Sequence, residues 1–586
     1  VTNSEISKLL RNVAAAYSVK DEKKFRFQII AYQKAADTIY HATSELHDLY
    51  KENKLDILQN VGPSIKSHLE ELITKGRVKH FEDVLKDTPA AIFPLLDVPS
   101  FGPKKAFRLV SEFKLSDPES VISDLAKLAR TGKIANLAGF GGKSQADILR
   151  AIEEYWQGKT KTVSMVLPYA DELANRIVAY LLKSKAVLKA YPLGSLRRRQ
   201  ETVGDIDIAV ASKQPEVVLD HFTKYPGMER LIERGNRTSS MLIASGRQID
   251  LMVQPPESFG TLLQHFTGSK AHNIHLREHA ISKGLSLSEY GIKEEKILKK
   301  YDTEEKLYKA LGMAWIPPEI REDNGEIELA KQHKLPKLIE LSDIKGDFHL
   351  HSSYPIEPSH DMGENNMEEM IQKAIELKYA YLGFSEHNPS LSRHNMAQTY
   401  DIIKQRSNFI EQLKYKYKKV IHIFSLLEID ILPNGNLALD SKSLELLNGA
   451  IVSIHSSFDM DRENMTKRVL KGLSHPKAKI LAHPTGRLIN QRPGYNLNWD
   501  EVFAFCKKHN KALEINSSPT RLDLPDNIVR DAVKQNITLI INTDSHAVSQ
   551  MSLMEYGVSV ARRGWATAGD ILNTNVYNKI DEWFRK

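Results

Sequence analysis

Short apolar runs that end in histidine or an acidic residue recur through the last part of the chain, from residue 346 to residue 586. Runs at 381–384, 450–454, 479–482 and 539–542 have the length of buried strands, and segments with helical spacing separate them. Strands that alternate with helices favour a parallel sheet, and a barrel of this kind presents its functional residues at strand ends. This part of the chain is therefore expected to form an α/β barrel-like domain.

The polar residues after these runs have the spacing of metal ligands. In His-x-His and Asp-x-His sequences, alternate side chains of an extended segment point to the same face, so that two of them can meet one ion. A mixture of imidazole and carboxylate suits Mn²⁺, Zn²⁺ or Fe²⁺. Cys506 is the single cysteine, which excludes a cysteine-rich zinc site. Six clusters follow the pattern, at 347–351, 385–387, 427–430, 453–456, 482–484 and 543–546.

The front of the chain changes its apolar spacing once. Helical spacing fills 5–152, whereas strands expected at 206–210 and 248–253 alternate with helices such as 169–184. Because a chain of 586 residues exceeds one hydrophobic core, a multidomain α/β protein of three to five units is expected, at roughly 100 to 200 residues each. Residues 259–313 are predicted to be largely helical, and a charged, loop-like stretch at 316–344 is predicted to connect the two halves.

The charge distribution favours a phosphate partner for the front half. The formal charge is +7, of which +6 falls in residues 1–345 and +1 in residues 346–586. A basic excess of this size fits a nucleic-acid backbone, although many solvated surfaces carry one too. The sequence shows neither a long apolar run nor a leader with a cleavage site, so we expect a soluble cytoplasmic protein.

Three segments of the helical front place glycine just before a new helix. Glycine permits a tight turn, and the free N–H groups at the helix start can hold a phosphate oxygen without reading a base. Each segment alone could be a turn between helices, but three of them within 85 residues resemble helix-hairpin-helix elements that grip the DNA backbone. The candidate DNA-binding residues are Val61, Gly62, Ser64, Gly102, Lys104, Gly139, Gly141 and Lys143.

A second carboxylate centre is predicted in the α/β segment of the front half. Asp205 and Asp207 lie two apart on an expected strand, so their side chains share a face, and Asp250 on another strand can complete a cage for two Mg²⁺ or Mn²⁺ ions. A lone Asp-x-Asp pair could be a solvated strand edge. Here a phosphate-binding element precedes it, and its candidate nucleotide-binding residues are Gly194, Ser195, Arg198 and Gly204.

These residues resemble the polymerase beta superfamily over roughly 1–320. The segment with His265, Phe266 and Gly268, followed by Asn273 and Arg277, is similar to the part of family X DNA polymerases that receives the incoming nucleotide and the template base. The resemblance implies template-directed DNA synthesis with dNTPs on gapped or nicked DNA, by a chain expected to be a monomer. Polymerase beta has a tyrosine where this chain has His265, which leaves ribonucleotide exclusion open. It also has a catalytic lyase lysine where this chain has His68, so weak or absent lyase activity is expected.

The six clusters of the rear half resemble the polymerase and histidinol phosphatase (PHP) domain over 346–586. The resemblance implies a distorted (β/α)7-type barrel with two or three Mn²⁺, Zn²⁺ or Fe²⁺ ions, and a nuclease that acts as a 3′–5′ exonuclease, an abasic-site endonuclease or a 3′-phosphatase. A ninth ligand is assigned to His360 or Asp361. The other implied ligands are His349, His351, His387, Glu428, His455, His483, Asp544 and His546.

The chain as a whole resembles the bacterial and archaeal type of family X polymerase. Two alternatives remain open from the sequence: a non-templated nucleotidyltransferase fused to a small-molecule phosphatase, and a non-catalytic scaffold for DNA ends. The predicted units are two helical DNA-binding parts at 1–90 and 91–158, a nucleotidyltransferase palm at 159–258, a nucleotide- and template-binding part at 259–320, a linker at 321–345 and the PHP domain at 346–586.

Overall fold

The computed structural model describes residues 3–586, apart from 41–45, 47–49, 51–54, 56–57, 59–60, 99–100, 157–163 and 244–246, and apart from the side chains of residues 4, 37, 40 and 154. Among the described residues, no helix has the length and apolar character that a membrane span requires.

The front of the chain is helical and has two hydrophobic cores, one formed by residues 6–84 and the other by residues 91–152. Gly62 and Gly102 each stand in extended conformation before a helix that starts with proline, whose missing N–H is not needed in the first turn. The described helices are Asn3–Asp21, Arg26–Tyr40, Pro63–Lys75, Lys79–Leu85, Ile92–Leu95, Pro103–Glu112, Val121–Arg130 and Gly142–Trp156.

The palm is a five-stranded sheet backed by helices. Its strand order is Lys189–Pro192 (β2), Ile206–Ala211 (β4), Gln248–Gln254 (β7), Thr238–Ile243 (β6) and Met228–Arg234 (β5), and β4 and β7 are its parallel pair. The predicted strands at 206–210 and 248–253 and the predicted helix at 169–184 are confirmed with small changes at their ends. The strands are β1 Met165–Val166, β2 Lys189–Pro192, β3 Thr202–Val203, β4 Ile206–Ala211, β5 Met228–Arg234, β6 Thr238–Ile243 and β7 Gln248–Gln254, and the helices are Leu167–Leu181, Gly194–Arg197 and Pro215–Phe222.

The segment after the palm contains a small sheet that the sequence did not indicate. Residues 259–313 were expected to be largely helical, but β8 Leu285–Ser288, β9 Gly291–Glu294 and β10 Ile297–Lys299 form an antiparallel meander. Gly291 permits it, because an added Cβ would lie 2.2 Å from the carbonyl oxygen of Lys299. The helices around the meander are Phe259–Thr267, Lys270–Ser282 and Glu304–Ala310.

The charged stretch at 316–344 is largely irregular, as its composition predicts, but it is packed against the segment before it. It contains the short helix Glu326–Lys331, and Ile327 packs into the same core as Leu307. Partners of its charges lie elsewhere in the chain, which local composition does not reveal. Arg321 is fully buried and pairs with Glu304 at 2.7 Å.

The rear of the chain, which the structure describes throughout, is a barrel of parallel strands. Only two residues separate the strand His422–Ser425 (β13) from the strand Glu428–Asp430 (β14), so these two short strands share one position. A parallel bridge between Leu350 and Ser545 joins the first strand to the last. Seven strand positions result. The strands are β11 Gly346–Leu350, β12 Tyr381–Phe384, β13 His422–Ser425, β14 Glu428–Asp430, β15 Ala450–Ser453, β16 Ala478–Leu481, β17 Ala512–Asn516 and β18 Leu539–Asn542.

Helices surround the barrel strands, which are buried on both faces as a parallel sheet requires. The α-helices are Met367–Glu376, Met396–Tyr417, Ser441–Leu444, Arg462–Leu473, Trp499–His509, Asp526–Lys534, Met554–Arg563 and Tyr577–Arg585. The predicted architecture, a multidomain α/β chain with a helical front, an α/β palm and a distorted barrel of seven strand positions, is confirmed.

Candidate active sites of the palm and the barrel

The palm brings the three predicted carboxylates together on its central strands. Asp207 on β4 and Asp250 on β7 are direct partners in the parallel register, and Asp205 lies in the turn just before β4. Burial, followed by the charges of Asp250 and Asp205, raises the pKa of Asp207 to about 6. Three neighbouring carboxylates repel one another when all of them are ionised, and bound divalent cations would relieve that repulsion.

The turn that begins at Gly194 lies against this carboxylate group. Gly194 has a positive φ of 57°, and a Cβ built on it would come within 3.0 Å of Asp207 Oδ2, so a side chain there would intrude on the site. Ser195 follows in the first turn of the short helix Gly194–Arg197. Gly204 has open space around it, next to Asp205. Backbone groups of this turn can therefore approach a phosphate beside the cations.

Arg198 is engaged with residues of the following segment. Its Nη1 donates to the carbonyl oxygen of Thr267 at 2.6 Å, and its Nε donates to Glu322 at 3.0 Å. The same guanidinium lies beside Gly268, where an added Cβ would be 3.2 Å from Nη1. The structure thus joins the predicted phosphate-binding arginine to the predicted nucleotide-binding segment.

The remaining predicted residues of that segment form one hydrogen-bonded group. The Asn273 side chain donates to the carbonyl oxygen of His265 at 2.6 Å and accepts from Gln264 at 2.8 Å. Arg277 donates from Nε to the Asn273 carbonyl oxygen at 3.1 Å. The rings of His265 and Phe266 meet edge to face with centroids 4.9 Å apart. Burial lowers the pKa of His265, which favours a neutral ring near the predicted sugar position.

The predicted DNA-binding residues of the front lie at helix starts on the surface. Gly62, Ser64, Lys104, Gly139, Gly141 and Lys143 are exposed, whereas Val61 and Gly102 are partly buried. The second and third elements pack against each other, because Arg108 donates to the carbonyl oxygen of Ala138 and covers the Phe140 ring at 5.2 Å.

His68 lies in an aromatic cluster rather than in a cluster of amines. Its Nδ1 is hydrogen-bonded to the Tyr32 hydroxyl at 3.1 Å, and its ring stacks on His80 with centroids 4.7 Å apart. Burial, followed by the charge of His80, lowers the pKa of His68. Absent or weak lyase activity stays a prediction, since an imidazole supplies no amine for a Schiff base.

The barrel centre gathers all eight of its firmly predicted ligands around two carboxylates. Glu428 contacts five imidazoles, and Asp544 Oδ1 lies 3.2 Å from His351 Nε2 and 3.4 Å from His349 Nε2. The His546 ring stacks on the His351 ring with centroids 4.1 Å apart. The nitrogen–oxygen distances to Glu428 are 3.1 Å for His349, 3.4 Å for His351, 3.1 Å for His387, 2.9 Å for His483 and 3.4 Å for His455.

Several buried donor atoms of this centre have no hydrogen-bond partner, which is the arrangement that metal ions require. They include both ring nitrogens of His351, Nε2 of His349 and His546, Nδ1 of His387 and Oε2 of Glu428. Unpartnered buried polar atoms are costly unless a ligand satisfies them. Neutral imidazoles and ionised carboxylates are also the protonation states that bind divalent ions.

The charges of the centre keep Glu428 ionised and His387 neutral, whereas they favour a protonated His349, whose proton a bound cation would displace. Burial opposes ionisation of Glu428, but the imidazoles of His387, His349 and His455 lower its pKa well below the ordinary value. Burial lowers the pKa of His387 well below its ordinary value. For His349, burial is outweighed by the carboxylates of Glu514, Asp544 and Glu428, which raise its pKa. The chemistry of the donor set therefore fits a cluster of divalent cations.

The structure separates the two residues proposed for the ninth position. His360 Nε2 lies 3.1 Å from Asp430, and Asp430 lies 2.7 Å from His455 Nδ1, so these three form one further ligand group. Asp361 points away, with its side chain 78% exposed and 3.8 Å from Lys34. The assignment of Asp361 is therefore corrected.

Two functional residues of the barrel were missed in the sequence. Asp430 belongs to the cluster at 427–430 but was not predicted to be a metal ligand, although it lies two residues after Glu428 on β14 and shares its face. Glu514 lies inside β17, fully buried, and holds His349 Nδ1 at 2.7 Å, so it orients a ligand instead of contacting an ion. The sequence signal for Glu514 was an acidic residue within an otherwise apolar strand.

The barrel centre opens into a cleft of about 1360 Å³. Asp544 and His546 lie on one side together with Arg521, whose Nε is 3.6 Å from Asp544 Oδ2. The palm helix Leu167–Leu181 forms the opposite wall and contributes Asn175 and Arg176. A substrate of the barrel would thus pass between the two domains.

These folds and sites define a class of protein: a nucleotidyltransferase palm with a helical DNA-binding front, joined to a phosphoesterase barrel that depends on divalent metal ions. Family descriptions match three parts of the chain: a helix-hairpin-helix domain over residues 1–78, a DNA polymerase beta thumb over 262–322 and a PHP domain over 347–518.

Whole-chain comparisons agree with these matches. The chain is 33% identical over 589 residues to the DNA polymerase/3′-5′ exonuclease PolX of Bacillus subtilis (strain 168), and the match covers 99% of each chain. It is therefore a member of the family X DNA polymerases that carry a C-terminal PHP domain. It is also 22% identical over 358 residues to DNA polymerase lambda of Arabidopsis thaliana, which covers 54% of this chain and 62% of that one.

Among solved structures, the polymerase beta of Leishmania infantum, in a ternary P/T complex, matches 40% of this chain and 100% of its own. The identity is 21% and the TM-score is 0.25, so this likeness carries no argument.

Proposed function

We propose that this chain is a template-directed DNA polymerase that fills short gaps during repair of the base-excision type, and that its barrel is a 3′–5′ exonuclease. The observation that carries the proposal is the presence of two complete ligand sets in one chain: Asp205, Asp207 and Asp250 beside the Gly194 turn, and the imidazole-rich group around Glu428. The name of the Bacillus subtilis relative, which includes both activities, supports it.

In the palm, the three carboxylates would hold Mg²⁺ or Mn²⁺. Such ions neutralise triphosphate charge and activate the attacking hydroxyl when they are bound. Gly194 and Ser195 offer backbone and hydroxyl donors to the triphosphate, and Arg198 offsets its charge after leaving Glu322. His265, Phe266, Gly268, Asn273 and Arg277 position the sugar and the template base.

The partners of this centre are dNTPs and gapped or nicked DNA. The exposed helix starts near Gly62, Lys104 and Gly141 would hold the backbone of the DNA on either side of the gap. The enzyme would act as a monomer in the cytoplasm, where its DNA substrate lies.

In the barrel, the donor set favours Mn²⁺, Zn²⁺ or Fe²⁺ over Mg²⁺, because imidazole prefers later transition metals. His349, His351, His387, Glu428, His455, His483, Asp544 and His546 would hold the ions, together with Asp430 and His360. Arg521 lies where it can receive a phosphate oxygen from the cleft. Cleavage at abasic sites or removal of a 3′-phosphate are further reactions of the same phosphoester chemistry.

Primer extension on a one-nucleotide gap tests the first activity. The full-length protein is given each dNTP in turn with Mg²⁺, on four duplexes that differ in the template base, and incorporation should follow the template. Incorporation that ignores the template base would instead support a non-templated nucleotidyltransferase.

Degradation of a 3′-labelled primer with Mn²⁺ tests the second activity, with His349→Ala as the inactive control. Hydrolysis of small phosphomonoesters without any cleavage of DNA would show that the barrel is a small-molecule phosphatase.

A further inference from the structure

The barrel domain holds the palm loop that lies between the Gly194 turn and Asp205. The carbonyl oxygen of Arg198 accepts from Arg563 Nη1 at 2.8 Å. Arg199 donates to the Ser559 hydroxyl at 3.0 Å. Glu201 pairs with Arg487 at 2.6 Å. Three of four consecutive loop residues are thus fixed by side chains of another domain.

Arg563 also shares a carboxylate oxygen with the predicted phosphate-binding arginine. Glu322 Oε1 accepts from Arg198 Nε at 3.0 Å, from Arg563 Nη1 at 3.0 Å and from Gln200 Nε2 at 2.7 Å. The Arg563 side chain is 5% exposed, and its other edge pairs with Asp526 at 2.6 Å. The position of this guanidinium is therefore fixed from both sides.

The helix that carries Arg563 is rooted in the barrel core. Gly557, in the middle of Met554–Arg563, packs so closely on β18 that an added Cβ would lie 2.5 Å from Ile541. Asp544 and His546 follow β18 directly. One helix thus connects the frame of the metal centre to the nucleotide-binding loop.

We propose that Arg563 of the PHP domain is a positioning residue for the polymerase reaction: by sharing Glu322 with Arg198, it determines how readily Arg198 exchanges that carboxylate for the triphosphate. This inference rests on the proposed function, in which Arg198 binds the triphosphate. A carboxylate that already neutralises Arg563 attracts Arg198 less strongly. Without Arg563, Glu322 would hold Arg198 more tightly.

Steady-state gap filling by the full-length protein tests this role. Arg563→Met should raise the KM for dNTP at least about fivefold, the lower end of typical coupling between sites, and leave kcat nearly unchanged, because the three carboxylates are untouched. Arg563→Lys, which keeps the charge, should restore much of the affinity.

The matched control is Arg562→Met on the same helix end. Arg562 pairs with Glu319 at 2.8 Å and donates to the Ile339 carbonyl oxygen, and neither contact involves Arg198 or Glu322. The KM of Arg562→Met for dNTP should equal that of the wild type. An equal increase in both methionine variants would mean general loosening of the interface and would overturn the inference.

Glu322→Gln separates the shared carboxylate from other causes. In that background, Arg563→Met should change the KM less than about twofold, since no carboxylate remains to be shared. A full effect there would sink the proposal. Arg198→Ala identifies the source of a failure: if it leaves the KM unchanged, the proposed role of Arg198 is wrong, whereas a raised KM with a silent Arg563→Met rejects only the inference.

Discussion

At the scale of single residues, the palm carboxylates are the most informative. Asp207 and Asp250 lie side by side in the parallel register, with Asp205 in the preceding turn. Alanine at any of the three should reduce incorporation by about a thousandfold or more, because the cations lose a ligand and several kcal/mol of charge stabilisation. Single-turnover gap filling measures this. DNA affinity, measured by anisotropy, should survive, and substantial residual synthesis would show that the site is misassigned.

Asp430 and Asp361 form a pair that tests the barrel ligands. Asp430 lies between His360 and His455, whereas Asp361 is exposed beside Lys34. Asp430→Ala should reduce Mn²⁺-dependent 3′-end degradation at least about tenfold, the lower range for partners of metal-binding histidines. Asp361→Ala should remain near the wild type. Metal content by mass spectrometry gives a second readout, and loss of activity in Asp361→Ala alone would reverse the assignment.

At the scale of elements, Glu304 joins the palm to the segment after it. It is 4% exposed and pairs at 2.7 Å with both Arg197 and Arg321. Burial opposes its ionisation, but the two arginines lower its pKa to about 2 from an ordinary 4.5. A carboxyl group whose pKa is lowered on folding stabilises the protein above its unfolded pKa, and this contribution fades as the pH falls toward the folded pKa.

Glu304→Gln keeps the shape of the side chain and removes its charge. We expect it to destabilise the protein by about 3 kcal/mol near neutral pH, because two buried guanidinium groups lose their carboxylate. The difference in free energy of unfolding between variant and wild type, measured by thermal unfolding, should be constant down to about pH 5 and should shrink below about pH 4.5. A difference that grew on acidification would contradict the ion-pair explanation.

The local sequence pattern predicted some secondary-structure elements and missed others. The strands β4 and β7 were predicted from their apolar runs, because the pattern that marks a buried strand lies within its own residues. The meander at 285–299 and the helix Glu326–Lys331 were missed. Their charged residues look solvated locally, but Glu326 holds the buried ring of His272 at 2.7 Å.

At the scale of the whole molecule, the two centres should be separable. The palm site is all carboxylate and should accept Mg²⁺, whereas the imidazole-rich barrel should require Mn²⁺ or another later metal. Asp205→Ala should abolish gap filling and spare 3′-end degradation, and Asp544→Ala should do the reverse. Parallel assays of both variants in Mg²⁺ and Mn²⁺ check this. Loss of both activities in both variants would show that the centres depend on each other far more than Arg563 alone implies.

The sequence by itself predicted most residues of the two candidate ligand sets and a helical front, a palm and a barrel. It could do so because metal-ligand spacing at strand ends is a local pattern, and because the clusters with His349, His455 and Asp544 resemble those of the PHP domain. Only the tertiary structure determined which carboxylate pairs with which imidazole or guanidinium group. Glu514 beneath His349, and Glu322 between Arg198 and Arg563, are separated from their partners by more than a hundred residues, and no local spacing records such pairs.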